Sequence, residues 1–146
     1  MTPRWVFATL VLLAGELAAP GQSPVQRDCE RIGFAAASAV GDRARGATRE
    51  QLLEVLPSLE RSEARSDSSD HRVLKAMHEI VDEVFDYPPL NEAAYMVYKT
   101  ESCYQAEWNG AAPKPFAEAH DALLACSTLE HRELIACSLR AAGADG

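Results

Sequence analysis

The chain has 146 residues, 47% of them apolar and 25% charged, which is enough for one core and too few for two ordinary domains. Acidic residues outnumber basic ones 22 to 14, and the net charge of −8 argues against a nucleic-acid binder. The apolar share excludes disorder over the whole chain.

Residues Met1 to Gly21 read as a secretory signal peptide. Arg4 supplies the positive start, and Val6, Phe7, Leu10, Val11, Leu12 and Leu13 fill an apolar run of about ten residues, well short of the roughly 20 needed to span a bilayer. Cleavage after Gly21 fits the small residues better than cleavage after Ala19, which would leave Pro20 first. No cysteine follows directly, so a soluble periplasmic or secreted protein is expected, with no membrane span after cleavage. Residues 22–146 then form one helical domain. Its charge is still −8, because Arg4 and Glu16 leave together.

The first helix is expected from about Pro24 to Arg45, with Cys29, Ile32, Ala36 and Val40 on its apolar stripe and Phe34 beside it. Thr48-Arg49-Glu50-Gln51 matches a capping box for a short second helix that Pro57 stops. Residues 58–70 read as a polar connection of mixed charge, with room for a few helical turns at its start. The third helix, Asp70 to Asp86, carries the clearest stripe: Val73, Leu74, Met77, Ile80, Val81, Val84 and Phe85. Tyr87-Pro88-Pro89-Leu90 breaks it, and Asn91 is a good N-cap for a fourth helix from Glu92 to Trp108. There Ala93, Met96, Val97, Cys103, Tyr104 and Trp108 fall towards one side. At the C-terminus, His120 to Ser127 recurs as His131 to Ser138, an offset of eleven residues. That is about three helical turns, so a single long helix from Glu118 to Ala142 is favoured over a restart at the capping box Ser127 to Glu130. Residues 143–146 are expected to fray. The fold class is all-α: a disulfide-stabilised bundle of four or five helices.

Four cysteines allow three complete pairings. On one continuous C-terminal helix Cys126 and Cys137 lie about 16 Å apart, beyond the roughly 7 Å that a bridge spans. Cys103 and Cys126 are nearly equidistant from the turn at Pro113-Lys114-Pro115, as in an antiparallel hairpin. Spacing therefore favours Cys103–Cys126 with Cys29–Cys137.

No residue set carries recognisable catalysis, cofactor binding or metal binding. His120 and Cys126, like His131 and Cys137, point some 120° apart around a helix, and no C-x-x-C spacing exists. His71, His78 and Asp82 share a face but read as the edge of an amphipathic helix. Gly41 to Gly46 reads as a helix-ending turn, and no hydrolase elbow, zinc-protease motif or phosphate loop is present. The aromatics say more. Phe85, Tyr87, Tyr95, Tyr98, Tyr104, Trp108 and Phe116, seven of the ten, cluster within about a fifth of the sequence. Core packing around the Tyr87-Pro88-Pro89 loop is the ordinary explanation. The sharper one is a partner surface at Tyr87, Tyr95 and Tyr98, the last two lying off their helix's main stripe. From Ser66 to Gly110 acids outnumber bases nine to three, so a partner with a basic patch would be steered to that half.

Cys29 followed by Ala36-Ala37, Gly46-Ala47-Thr48-Arg49-Glu50-Gln51-Leu52-Leu53, Ile80 to Phe85 before Pro88, and Ala93 to Tyr98 leading to Cys103 together resemble the small, mostly uncharacterised, all-helical exported proteins of proteobacteria. The resemblance covers Arg27 to about Tyr104. It implies a scaffold and a helix-to-helix clasp of Cys29 with Cys103, leaving Cys126 and Cys137 paired or free, and it carries over no catalytic residue. The functional expectation is a non-enzymatic protein-binding module, an envelope accessory, inhibitor or immunity-type protein that engages an envelope protein. The alternative is an envelope structural or stress-protective, client-holding protein, and an enzyme with an unrecognised site ranks third.

Overall fold

A computed structural model describes residues 21–62 and 68–144. Met1 to Pro20 of the expected signal, Glu63 to Asp67 of the polar connection and Asp145-Gly146 of the tail lie outside the described residues. All regular structure among the described residues is helical: α1 (Pro24–Ala44), α2 (Arg49–Glu54), α3 (Leu59–Ser62), α4 (Ser69–Asp86), α5 (Glu92–Trp108), α6 (Phe116–Cys126) and α7 (His131–Ala141).

Local chemistry sets most of these boundaries. Ser23 caps α1 by accepting from the Gln26 amide, and Pro24 occupies the first turn, where a missing N–H costs nothing. Gly46, at φ 95°, ends the following turn in a conformation that a Cβ would disfavour. The Thr48 capping box forms with both reciprocal bonds. Ser68 caps α4, and Asn91 caps α5 by accepting from the Ala93 and Ala94 amides.

α1 and α5 are the most intimate pair. They run antiparallel, with Cys29 opposite Cys103 and Gly41 beside Glu92. Gly33 makes the approach possible: a Cβ there would collide with the Thr100 hydroxyl and come within 3.3 Å of the Met96 carbonyl. α4 runs parallel to α1, joined at one end by Ser69 to Asp28 and at the other by Arg43, which donates to the Val84 carbonyl and, at 2.8 Å, to the Tyr87 carbonyl. The cation thus sits where the last carbonyls of α4 lack helical partners. The core lies between these three helices and is closed by Phe116, Ala119 and Leu123 of α6.

Two expectations about the C-terminal half are corrected. The segment from Glu118 to Ala142 is two helices, not one. α6 ends at Ser127, whose hydroxyl donates to the Leu123 carbonyl and accepts from the Asn91 amide, so a tertiary bond to the α4–α5 linker stops the helix. Nor does the competing capping box make the restart, since Glu130 precedes α7 without a side-chain cap and His131 takes a φ of 46°. The chain folds back on itself, and the eleven-residue repeat brings its two cysteines face to face.

The disulfides follow. Cys29 joins Cys103 with Cα atoms 5.4 Å apart, and Cys126 joins Cys137 at 5.7 Å. The expected pairs Cys103–Cys126 and Cys29–Cys137 do not form. Equal spacing from the proline turn failed because α6 does not mirror α5 about that turn. Tyr98 meets Lys114 and Asn91 meets Ser127, so the end of α6 lies opposite the start of α5, about 18 Å along the helix from Cys103.

Candidate functional site

The three tyrosines expected at a partner surface belong to the interior. Tyr95 is 0% and Tyr98 3% exposed, and Tyr87 is half-buried. The Tyr95 hydroxyl donates to Glu83 Oε2 at 2.5 Å, and the Tyr98 hydroxyl donates to the Lys114 carbonyl at 2.8 Å. Lys99 closes the cluster, bridging to Glu83 at 2.7 Å and lying 5.9 Å from both ring centres. Phe116 covers the pair from α6, its ring 5.3 Å from Tyr95 and 5.8 Å from Tyr98, and it meets Tyr87 edge-on at 4.9 Å. Burial first, and the Glu83 charge second, raise both phenols above the ordinary tyrosine range. This is a satisfied core. A cavity of about 200 Å³ remains beside it, between Arg43, Val84, the Pro88-Pro89 linker and Phe116.

The other side of α5 is only partly covered. A groove of about 590 Å³ has α5 as its floor, through Met96, Val97, Thr100, Glu101 and Tyr104. Glu30 and Phe34 of α1 form one wall and Leu139 of α7 the other. Phe34 is 65% and Trp108 60% exposed. Tyr104 stacks on Trp108 with ring centres 5.0 Å apart, which carries the aromatic surface to the end of the helix. Exposed Ile135, one turn before Leu139, continues the α7 wall. Scattered exposed apolar residues are unremarkable, but a continuous concave run of them is the usual mark of an interaction site.

Charge is distributed unevenly along the groove. Phe34, Met96 and Val97 sit at one end, and Glu30, Glu101 and Tyr104 at the other. Glu30 accepts from the side-chain amides of Gln22 and Gln26, and Glu101 from that of Gln105. Neither carboxylate forms an ion pair among the described residues. Partial burial, with the charges of Glu30 and Glu101, raises the Tyr104 phenol above its ordinary value.

Of the residues that fall on one side of the fourth helix in sequence, Met96, Val97 and Tyr104 line this groove, while Cys103 is bonded to Cys29 and packs against the core. α5 is apolar over much of its circumference, so its stripe does not reveal which side the neighbouring helices cover. Phe34 offered a usable signal, because it falls off the Cys29–Ile32–Ala36–Val40 stripe of its own helix. The histidines are placed without convergence: His78 Nε2 lies 3.0 Å from the Pro57 carbonyl, and His120 is buried between Pro88 and Asp121. Among the described residues, no group of three or more His, Cys, Asp or Glu side chains is arranged to hold a metal ion. Nor is any described helix long and apolar enough to cross a membrane.

Fold and site together define a disulfide-clasped helical bundle with an open, acid-ended aromatic groove. Comparison with family models, with curated proteins and with solved structures returned no match.

Proposed function

We propose that the protein is a non-enzymatic protein-binding module of the periplasm or the secreted space, of the envelope accessory, inhibitor or immunity type, and that it docks through the α1–α5–α7 groove. The observation that carries this reading is the groove's exposed aromatic surface: Phe34 on its wall and Trp108, stacked on Tyr104 at the end of its floor, are more than half exposed, whereas the Tyr95–Tyr98 cluster is buried. Export is supported by the N-terminal apolar run and by the pairing of all four cysteines, which suits an oxidising compartment. Hot spots of protein interfaces favour such rigid aromatic anchors.

Quantitative capture from an envelope extract tests it. The wild-type chain should retain one polypeptide in stoichiometric amount. Phe34→Glu should lose it, and Val55→Glu, at an exposed apolar residue on α2's end, should keep it. Capture of many unrelated polypeptides would replace this reading with the client-holding one. Equal capture by both variants would remove the groove from the account.

A further inference from the structure

We propose that the groove takes an amphipathic helix with an apolar anchor at one position and an arginine about two turns further along the same face. The proposal rests on the docking reading above and deepens it by naming the partner's chemistry.

The shape comes first. The floor is a single helix flanked by two others, and Met96 to Trp108 covers about 18 Å, the length of some twelve helical residues. An apolar helix face laid into such a trough buries its anchors at helical spacing, which is the helix-in-groove mode of recognition. The described residues contain no strand, so no sheet edge is offered to an extended peptide.

The charge then orients the occupant. Val97 and Tyr104 stand seven residues apart on the floor, about 10 Å, and mark the apolar and acidic ends. In a helix laid parallel to α5, an anchor between Phe34 and Val97 brings the partner's residue at i+7 over Tyr104, between Glu30 and Glu101. A cation at that position meets two carboxylates whose present partners are neutral amides, together with the face of the Tyr104–Trp108 stack. Arginine suits this better than lysine, because its planar guanidinium is weakly hydrated and pairs with carboxylates while stacking on rings. Arg27, one turn from Glu30, forms no ion pair with either acid among the described residues, so the position is not already filled. A second copy of the chain is a poor occupant. An isologous contact would bring these acids near their own copies on a chain of charge −8.

The test uses the exported protein with both disulfides intact and three synthetic helical peptides of about 18 residues. One carries leucines at i and i+4 with arginine at i+7, one replaces that arginine by glutamate, and one moves it to the opposite face. Fluorescence polarisation should show the first binding at least about tenfold tighter than the other two, a gap that narrows in high salt. Phe34→Glu should weaken it by about tenfold or more. The double variant Glu30→Gln, Glu101→Gln should bring the arginine and glutamate peptides within about twofold of each other. All these positions are surface ones, and an unchanged Tm checks that the variants remain folded.

Equal binding of the three peptides, binding that survives Phe34→Glu, or no binding at all would overturn the inference. So would a concentration-dependent dimer abolished by Phe34→Glu, which would identify a second copy as the occupant. If no peptide binds while envelope capture still depends on Phe34, the partner's chemistry falls and the docking face stands. If neither depends on Phe34, both fall.

Discussion

Tyr95 and Tyr98 lie on one side of α5, and Tyr104 and Trp108 lie at its other end on another side. The first pair is covered by Phe116, bonded to Glu83 and the Lys114 carbonyl, and almost fully buried. The second is stacked at the acidic end of the groove, with Trp108 60% exposed. The residue types are similar, and the helix is the same. What separates them is which neighbours the chain supplies. α6 is pinned over the first pair by the Ser127–Asn91 bond, whereas α7, turned back by its disulfide, packs on α5 through Ala141 and Ala142 and leaves Leu139 beside the groove. Aromatic composition therefore reports a place where contact is made, but not whether the contact is internal.

The largest way to break this comparison is Tyr95→Ala. Removing a fully buried aromatic ring should cost about 4 kcal/mol in chemical denaturation, a large share of a small domain's stability. A loss under about 1 kcal/mol would show the ring to be peripheral. Removing the local bridge with the pair Cys126→Ser, Cys137→Ser comes next. The separation of eleven residues implies about 3 kcal/mol by loop closure. Because the bridge holds α7 rather than the Tyr95 core, this variant should keep a cooperative core and lose the groove wall. Its partner affinity should then fall beyond what the stability loss explains.

Alkali sharpens the contrast. Both buried phenols are held above their ordinary 10.0, so the neutral forms are favoured in the folded state. Their contribution is fully present below about pH 10 and is lost as pH rises above it, since only unfolding releases the protons there. Tyrosinate absorbance followed beside circular dichroism should show Tyr95 and Tyr98 ionising together with unfolding. Ionisation of all four tyrosines while the fold persists would contradict their burial. The smallest stability effect belongs to the surface pair: Trp108→Ala should change the unfolding free energy by less than about 0.5 kcal/mol while weakening partner capture.

How much of this was legible in sequence depends on how locally it is encoded. The Thr48 capping box, the Asn91 cap and the α4 stripe each lie within a few residues of what they specify, and they form as read. The break after Cys126 was only half legible: the capping box at Ser127 marks the place as an alternative, but what decides it is Ser127 meeting an amide 36 residues away. The disulfide pairing inherited that error, since the geometric case against Cys126–Cys137 assumed an unbroken helix. The groove was not legible for a different reason. A half-exposed apolar face has the same periodicity as one packed against the core, and α5 carries both. Only the placement of the neighbouring helices separates them.

The central claim is that one side of α5 is core and the other a docking face. A photo-crosslinking amino acid placed in turn along α5, in the native envelope, tests it most directly. Adducts to one heterologous protein should appear at Val97, Glu101, Tyr104 and Trp108. They should be absent at Ala106, which is exposed on the opposite side of α5 from Val97. Adducts of equal yield at Ala106, or none at any groove position, would contradict the account.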